Sequence, residues 1–241
     1  MSRRRAAAVL VTLVALAGCG TSATVPTPGV TPSVSASPLP ALWSVHGDAA
    51  QGFSVAVPDA WDFVFRDSRT LDADLKVVEQ HSPELATYFR QSLAAHEQLR
   101  FLAADSRSLP SGFATNVQVM TADLGPAGIA PSLKDLTDAK VRALRLQASV
   151  TQPVARVADQ LGGRPALRLD YTLATPAAAA TGAGAGATAD AGAGAPGTAL
   201  VRSYLMEVLR GPDQFEVELT IGARPETAAT TFQLVSEHFS P

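Results

Sequence analysis

Two stretches in the second half of the chain alternate apolar and polar residues with a period of two, and each is divided by a tight turn. The turns are Gly162-Gly163 and Gly211-Pro212-Asp213, and glycine supplies the positive φ that short hairpin turns require. The four flanking strands are Val154–Leu161, Pro165–Leu173, Leu200–Leu209 and Gln214–Ile221. Because consecutive hairpins build antiparallel sheets, this half constrains the fold most strongly and predicts an antiparallel sheet.

The first half adds short strands and two helix starts. Ser82-Pro83-Glu84 places an N-cap, a proline and an acid in the order that opens a helix, and Ser132 opens a second helix. A last helix is predicted after Pro225, and the remaining strands are Phe53–Val57, Phe63–Phe65, Phe101–Ala104 and Phe113–Thr121. Hairpins separated by helices predict an α+β fold with one antiparallel sheet flanked by helices.

The first clear strand carries a family resemblance. The run Gly52-Phe53-Ser54-Val55-Ala56-Val57-Pro58 is followed by Trp61, and this pattern resembles the opening strand and turn of Mog1/PsbP-like domains. That group includes actinobacterial lipoproteins of the LpqN type. The resemblance implies an α/β/α sandwich over residues 42–241 and a protein-binding role without catalysis.

The first residues resemble a bacterial lipoprotein signal. Arg3–Arg5 precede the apolar run Ala6–Ala17, and Leu16-Ala17-Gly18-Cys19 matches the lipobox with the only cysteine of the chain. The resemblance implies cleavage of residues 1–18 and attachment of fatty acids such as palmitate to Cys19, followed by a Pro/Ser/Thr-rich tether over residues 19–41. The predicted location is the extracytoplasmic face of the cell membrane, and the membrane is the partner of the lipid on Cys19.

A low-complexity segment separates the two hairpins. Seventeen of the 22 residues from Pro176 to Gly197 are alanine or glycine, and such dense glycine opposes both helix and strand. The composition predicts a disordered loop over residues 176–197 inside the single domain 42–241. A flexible recognition segment is the alternative.

Composition excludes several classes of function. The net charge is −3, and loss of Arg3–Arg5 with the signal would bring it to about −6, which disfavours nucleic acid as a partner. Lipidation of Cys19 would leave no thiol for a disulfide, a nucleophile or a metal. The four histidines (His46, His81, His96 and His238) show no i, i+4 metal-ligand spacing, so neither a metal nor a cofactor is predicted.

No residue emerges as catalytic. His96 falls on the apolar stripe of its predicted helix, where a packing role is expected. Ser54 lies in mid-strand, where a nucleophile elbow would need a strand-to-helix turn. Glu216 and Glu218 share one side of a strand, and they are predicted to form a solvated strip that pairs across strands with Arg168 or Arg202.

The strip suggests the function. Arg168, Asp170, Glu216 and Glu218 are predicted to form one polar binding face, and reversing both glutamates to lysine is expected to weaken binding without unfolding the domain. The sequence therefore predicts a non-catalytic, membrane-anchored module that binds a protein of the cell envelope. The alternatives are a carrier of a small apolar ligand, which needs a cavity of several hundred Å³, and an envelope hydrolase, which needs His96 beside Ser, Asp or Glu in a pocket.

Overall fold

The structure is a computed structural model, and it describes residues 38–151, 154–175 and 197–241. The nine strands within these ranges are β1 (Trp43–Asp48), β2 (Phe53–Pro58), β3 (Asp62–Phe65), β4 (Leu99–Ala104), β5 (Asn116–Pro126), β6 (Ala155–Leu161), β7 (Arg164–Ala174), β8 (Thr198–Arg210) and β9 (Asp213–Ala223). The four α-helices are α1 (Leu71–His81), α2 (Pro83–Ala95), α3 (Leu133–Arg145) and α4 (Pro225–Glu237).

Seven strands form one sheet in the order β3-β4-β5-β9-β8-β7-β6, and every neighbouring pair is antiparallel. Strands β1 and β2 form a separate two-stranded hairpin. Strand β9 therefore lies at the centre of the large sheet, although it is the last strand in the chain. A central strand of a covered sheet is buried on both faces, and this position determines the surroundings of its side chains.

Helices cover both faces of the large sheet. On one face, here called the α4 face, Phe232 and Val235 of α4 pack with Leu219 and Ile221 of β9, and the β1-β2 hairpin adds Val55. The opposite face, here called the α3 face, carries two further clusters. Helices α1 and α2 cover β4 there, and α3 covers β7 and β8.

The predicted α+β class and the layered arrangement of helices about an antiparallel sheet are confirmed. Both second-half hairpins form as the alternation indicates, and Gly162 and Gly163 take φ values of 57° and 74° in the turn between β6 and β7. Strand β1 and helix α1 were not predicted, because neither shows a clear alternation or capping signal. Helix α2 ends at Ala95 and not near Leu99, which begins β4.

Several predicted features lie outside the described residues. They are the signal sequence 1–18, Cys19, most of the tether and all but the last residue of the loop 176–197. No helix among the described residues is both long and apolar enough to cross a membrane.

Candidate functional site

The four residues predicted to form one binding face lie on two different faces of the sheet. Asp170 lies opposite Arg202, which lies opposite Ile221 of β9, so Asp170 shares the α4 face with Ile221. Glu218 is three residues from Ile221 and therefore points to the α3 face, because successive side chains of a strand alternate between faces. The prediction of a single face is wrong because β7 and β9 bury their apolar sides under different helices.

Arg168 and Asp170 belong to a balanced ladder of charges on the α4 face. Arg168 Nη1 lies 2.7 Å from Asp159 Oδ2, its Nε lies 3.0 Å from Asp170 Oδ2, and Arg202 Nε lies 2.7 Å from Asp170 Oδ1. The Arg202 guanidinium also stacks 4.8 Å from the centre of the Phe232 ring. Two arginines and two aspartates satisfy one another here, and the predicted pairing of Arg168 or Arg202 with Glu216 and Glu218 is wrong.

Glu216 and Glu218 instead line a cleft of about 190 Å³ on the α3 face. Its floor is formed by β5 and β9, and its sides by the end of α2 and by α3. The lining residues are His96, Gln98, Met120, Thr121, Ala122, Lys140, Glu216 and Glu218. The cleft combines opposite charges with the apolar surface of Met120 and Ala122, and it is the candidate site.

Helix α3 brings a lysine into this cleft. The Ser132 side chain accepts a hydrogen bond from the Asp135 amide (3.3 Å) and donates one to the Asp135 carboxylate (2.6 Å), which fixes the start of the helix. Thr137, Lys140 and Leu144 then follow at helical spacing on the side that faces the sheet, and Thr137 and Leu144 are buried. Lys140 therefore points towards the sheet while most other charges of α3 face solvent.

Lys140 forms a nearly buried ion pair with Glu218. Lys140 Nζ lies 2.9 Å from Glu218 Oε2, and the two side chains are 29% and 7% exposed. The second Glu218 oxygen accepts a hydrogen bond from Thr220 Oγ1 at 2.9 Å. Burial lowers the pKa of Lys140, but the charge and the hydrogen bond of Glu218 outweigh it, so the pKa of Lys140 lies above its ordinary value.

Two more carboxylates lie on the same face beside this pair. Glu216 precedes Glu218 by two residues on β9, and Glu207 of β8 lies directly opposite Glu216. Burial raises the pKa of Glu216, and the negative charges of Glu218 and Glu207 raise it further while Lys140 lowers it. Burial also raises the pKa of Glu207, against a backbone hydrogen bond from Leu133. Glu216 thus feels the charges of two other carboxylates, Glu207 and Glu218, and of the Lys140 ammonium group.

His96 lies at the rim of the cleft rather than in the core. It caps the C-terminus of α2 and is exposed, so the predicted packing role is wrong, because the helix ends one residue before it. Within the described residues its ring forms no hydrogen bond with Glu216 or Glu218. A histidine and two carboxylates therefore line the same cleft. In the described residues they lack the histidine–carboxylate hydrogen bond that helps to activate a nucleophile.

Comparisons with known proteins found similar structures. No protein-family model matches the sequence, and no curated protein matches it. Among solved structures, the chain is similar to LpqN of Mycobacterium tuberculosis, described as involved in cell envelope biogenesis, with 12% identity, a TM-score of 0.47 and coverage of 82% of this chain and 89% of LpqN. It is also similar to PsbP of Synechocystis sp. PCC 6803, with 13% identity, a TM-score of 0.45 and coverage of 88% and 97%. These are the two kinds of protein that the motif from Gly52 to Trp61 resembles.

Sequence reasoning missed Lys140 and Glu207. The position of Lys140 could have been noticed in the sequence. It follows Leu133 and Leu136 on the apolar side of the helix, whereas the other charged residues of the helix lie off that side. No sequence pattern predicts the role of Glu207. It lies in a strand of mainly apolar residues, and its cross-strand partner depends on the register of β8 and β9. Residues of the cleft come from four elements spread over more than 120 positions, so only the fold brings them together.

Proposed function

We propose that this chain is a membrane-anchored, non-catalytic binding module of the cell envelope, and that the cleft beside α3 holds a positively charged side chain of a partner protein. The observation that supports the ligand class is the excess of carboxylates over cations in the cleft. Glu216 and Glu218 line the cleft with Lys140, which is bonded to Glu218, and Glu207 acts on Glu216 from the neighbouring strand. A lysine or arginine from a partner would complete this charge balance.

The shape of the cleft supports a side chain as the ligand. A volume of about 190 Å³ is below the 300–1,000 Å³ that is typical of small-molecule sites. Met120 and Ala122 offer apolar surface for the methylene stem of a lysine or arginine, while Glu216 would meet its charged end. The charged lining and the small volume both disfavour the alternative of a carrier for an apolar ligand or lipid.

The anchor supports an envelope partner. A lipid on Cys19 and a tether over residues 19–41 would hold the domain within tens of ångströms of the membrane, on its extracytoplasmic face. Tethering raises the local concentration of membrane-bound partners, so a modest affinity in the cleft would suffice for capture. We assign Arg168 and Asp170 a structural role in stabilising the pairing of β6, β7 and β8, because their charges are already compensated by ion pairs within the ladder.

In-cell crosslinking tests this proposal. A photo-crosslinking amino acid at Gln98, which is exposed at the cleft, is expected to capture a defined envelope protein through a segment that contains lysine or arginine. The same amino acid at Gln233, exposed on α4, should not capture that protein. Glu216→Lys should reduce capture at least several-fold, whereas Glu237→Lys, which makes the same change of charge on α4, should leave capture intact.

Two results would contradict the proposal. Capture that is equal from Gln98 and Gln233, or unaffected by Glu216→Lys, would exclude the cleft as the binding site. The double reversal that the sequence suggested is not informative, because Glu218→Lys would place a second buried ammonium beside Lys140 and destabilise the fold.

An envelope hydrolase is the second candidate, because His96 and two carboxylates line the same cleft. It predicts turnover of an ester or glycan that disappears in His96→Ala. Turnover of this kind would replace the binding function. Activity that persists unchanged in His96→Ala would not come from this site.

A further inference from the structure

Glu207 and Glu216 form a pair of carboxylates that the binding proposal uses only for their charge. They are direct cross-strand partners on β8 and β9, and residues in such positions have Cβ atoms about 4.5–5.5 Å apart. Oε1 of Glu207 is buried and has no hydrogen-bond partner within the described residues. Glu216 forms no hydrogen bond or ion pair in the same part of the chain. Two partly buried carboxyls therefore lie side by side on neighbouring strands, with no dedicated counter-ion among the described residues.

Among the described residues, the surrounding elements supply no second ammonium or guanidinium group. Helix α3 contributes Lys140, whose ammonium is bonded to Glu218, and the Leu133 amide, which bonds Glu207. The end of α2 contributes His96 at the rim, and β5 contributes the uncharged Met120 and Ala122. On the side of β7, Tyr171 is the titratable neighbour of Glu218 and Lys140. With Lys140 engaged, ionising both Glu207 and Glu216 would place two like charges side by side.

We propose that Glu207 and Glu216 share one proton when the cleft is empty, and that this proton controls the charge of the cleft. Loss of the proton adds one negative charge, so the affinity for a cation rises with pH. The control of affinity rests on the proposed function, whereas the shared proton rests on the register of β8 and β9 and on the unpartnered oxygen of Glu207 in the described part of the chain. Burial favours a proton on each group and raises both pKa values, and the negative charge of Glu207 raises the pKa of Glu216 further.

The shared proton also has a consequence for stability. Because the pKa values of both carboxyls are raised in the folded state, the folded chain binds protons more tightly than the unfolded chain does. Their contribution to stability is therefore fully present below the ordinary glutamate pKa and is lost as pH rises through the folded pKa values. Glu216→Gln mimics the protonated carboxyl and cannot ionise. The variant should therefore lose less folding stability than the unsubstituted chain as pH rises.

Carbon-13 NMR titration of the glutamate carboxyls tests the pair directly, with residues 19–241 carrying Cys19→Ser. In the unsubstituted cleft, the Glu207 and Glu216 carboxyls are expected to titrate in two coupled steps that both resonances report. In Glu216→Gln, Glu207 should titrate in one step with a lower midpoint. Glu237→Gln, exposed on α4, should leave both curves unchanged.

Melting curves supply a second readout. Between pH 4 and 8, the melting temperature of Glu216→Gln should gain at least about 2 °C relative to the unsubstituted chain. Should Glu216→Gln fail to fold, Glu207→Gln with Glu216 as the reporter serves the same purpose.

The proposal is overturned if Glu207 titrates identically in the unsubstituted chain and in Glu216→Gln, or if both carboxyls titrate in single independent steps. The titration contains no ligand, so it can succeed or fail independently of the binding proposal. Failure of a lysine probe to bind at any pH would count against the proposed function and would leave the coupled titration of the pair standing.

Discussion

Replacing Lys140 with methionine isolates the ion pair beneath α3. Methionine keeps most of the volume of the lysine stem but removes the ammonium group that lies 2.9 Å from Glu218. Glu218, whose side chain is 7% exposed, would then keep only the hydrogen bond from Thr220. Loss of one partner from a buried ion pair costs about 3–5 kcal/mol, because the remaining charge is left without compensation.

The partial exposure of Lys140 reduces this cost. Its side chain is 29% exposed, so water can reach the site, and the expected loss is about 3 kcal/mol in the free energy of unfolding. For a chain of this size, such a loss lowers the melting temperature by roughly 6–12 °C.

Urea unfolding of four proteins tests the estimate: the unsubstituted chain, Lys140→Met, Glu218→Gln and the double variant. The double variant should recover about 2 kcal/mol or more relative to the sum of the two single losses, because it leaves no unpaired charge. Lys134→Met is the matched control. It breaks an i, i+4 pair with Asp138 whose side chains are 71% and 32% exposed, and it should cost at most about 0.5 kcal/mol.

The reasoning fails if Lys140→Met costs no more than Lys134→Met at an unchanged urea dependence, or if the effects of Lys140→Met and Glu218→Gln are additive. Either result would mean that water solvates the Lys140–Glu218 ion pair and that the pair is not effectively buried. The pH dependence of folding stability provides a further check, because the ion pair is lost when Lys140 loses its proton. Stability from this pair should be fully present at neutral pH and should decline as pH rises through the raised pKa of Lys140.

Three further predictions concern the rest of the chain. Gly162→Ala should cost more stability in urea unfolding than Gly163→Ala; both glycines have positive φ, but only the Cβ at Gly162 would lie 2.5 Å from Pro241. Replacing residues 176–196 with Asn-Gly should change the free energy of unfolding by no more than about 1–2 kcal/mol, because the Thr175 amide already donates to the Gly197 carbonyl at 2.9 Å. A drop in melting temperature of more than about 10 °C would contradict this. Cys19→Ala should abolish labelling by a fatty-acid probe, and equal labelling of both proteins would exclude the predicted anchor.

The fold was predictable where one strand or helix carries its own signal. Period-two alternation identified β6 to β9, and a serine N-cap identified α2 and α3. The sheet order was not predictable, because the pairing of β5 with β9 joins residues about 100 positions apart. Strand β1 was missed because it offers only two apolar side chains, Trp43 and Val45, and none of its six residues is buried.

The site was predictable only in part. The alternation in β9 correctly grouped Glu216 with Glu218, but it could not show that their side of the strand is covered by a helix. A polar side of a strand is normally solvated, and here Lys140 from α3 makes burial of Glu218 possible by compensating its charge. Arg168 and Asp170 were placed with the glutamates because residue type alone does not report which face of a sheet a strand presents.

Titration of the domain with a lysine side chain shows whether the cleft binds a cation. Residues 19–241 carrying Cys19→Ser, labelled with nitrogen-15, would be titrated with N-acetyl-lysine methylamide and, separately, with the norleucine analogue that lacks the ammonium group. We expect the lysine probe to cause saturable shifts of the Met120, Ala122 and Glu216 amide resonances. Glu216→Lys and added salt should weaken this binding, and the norleucine probe should cause no shifts. Equal shifts with both probes, or shifts confined to the α4 face, would contradict a cation-binding cleft.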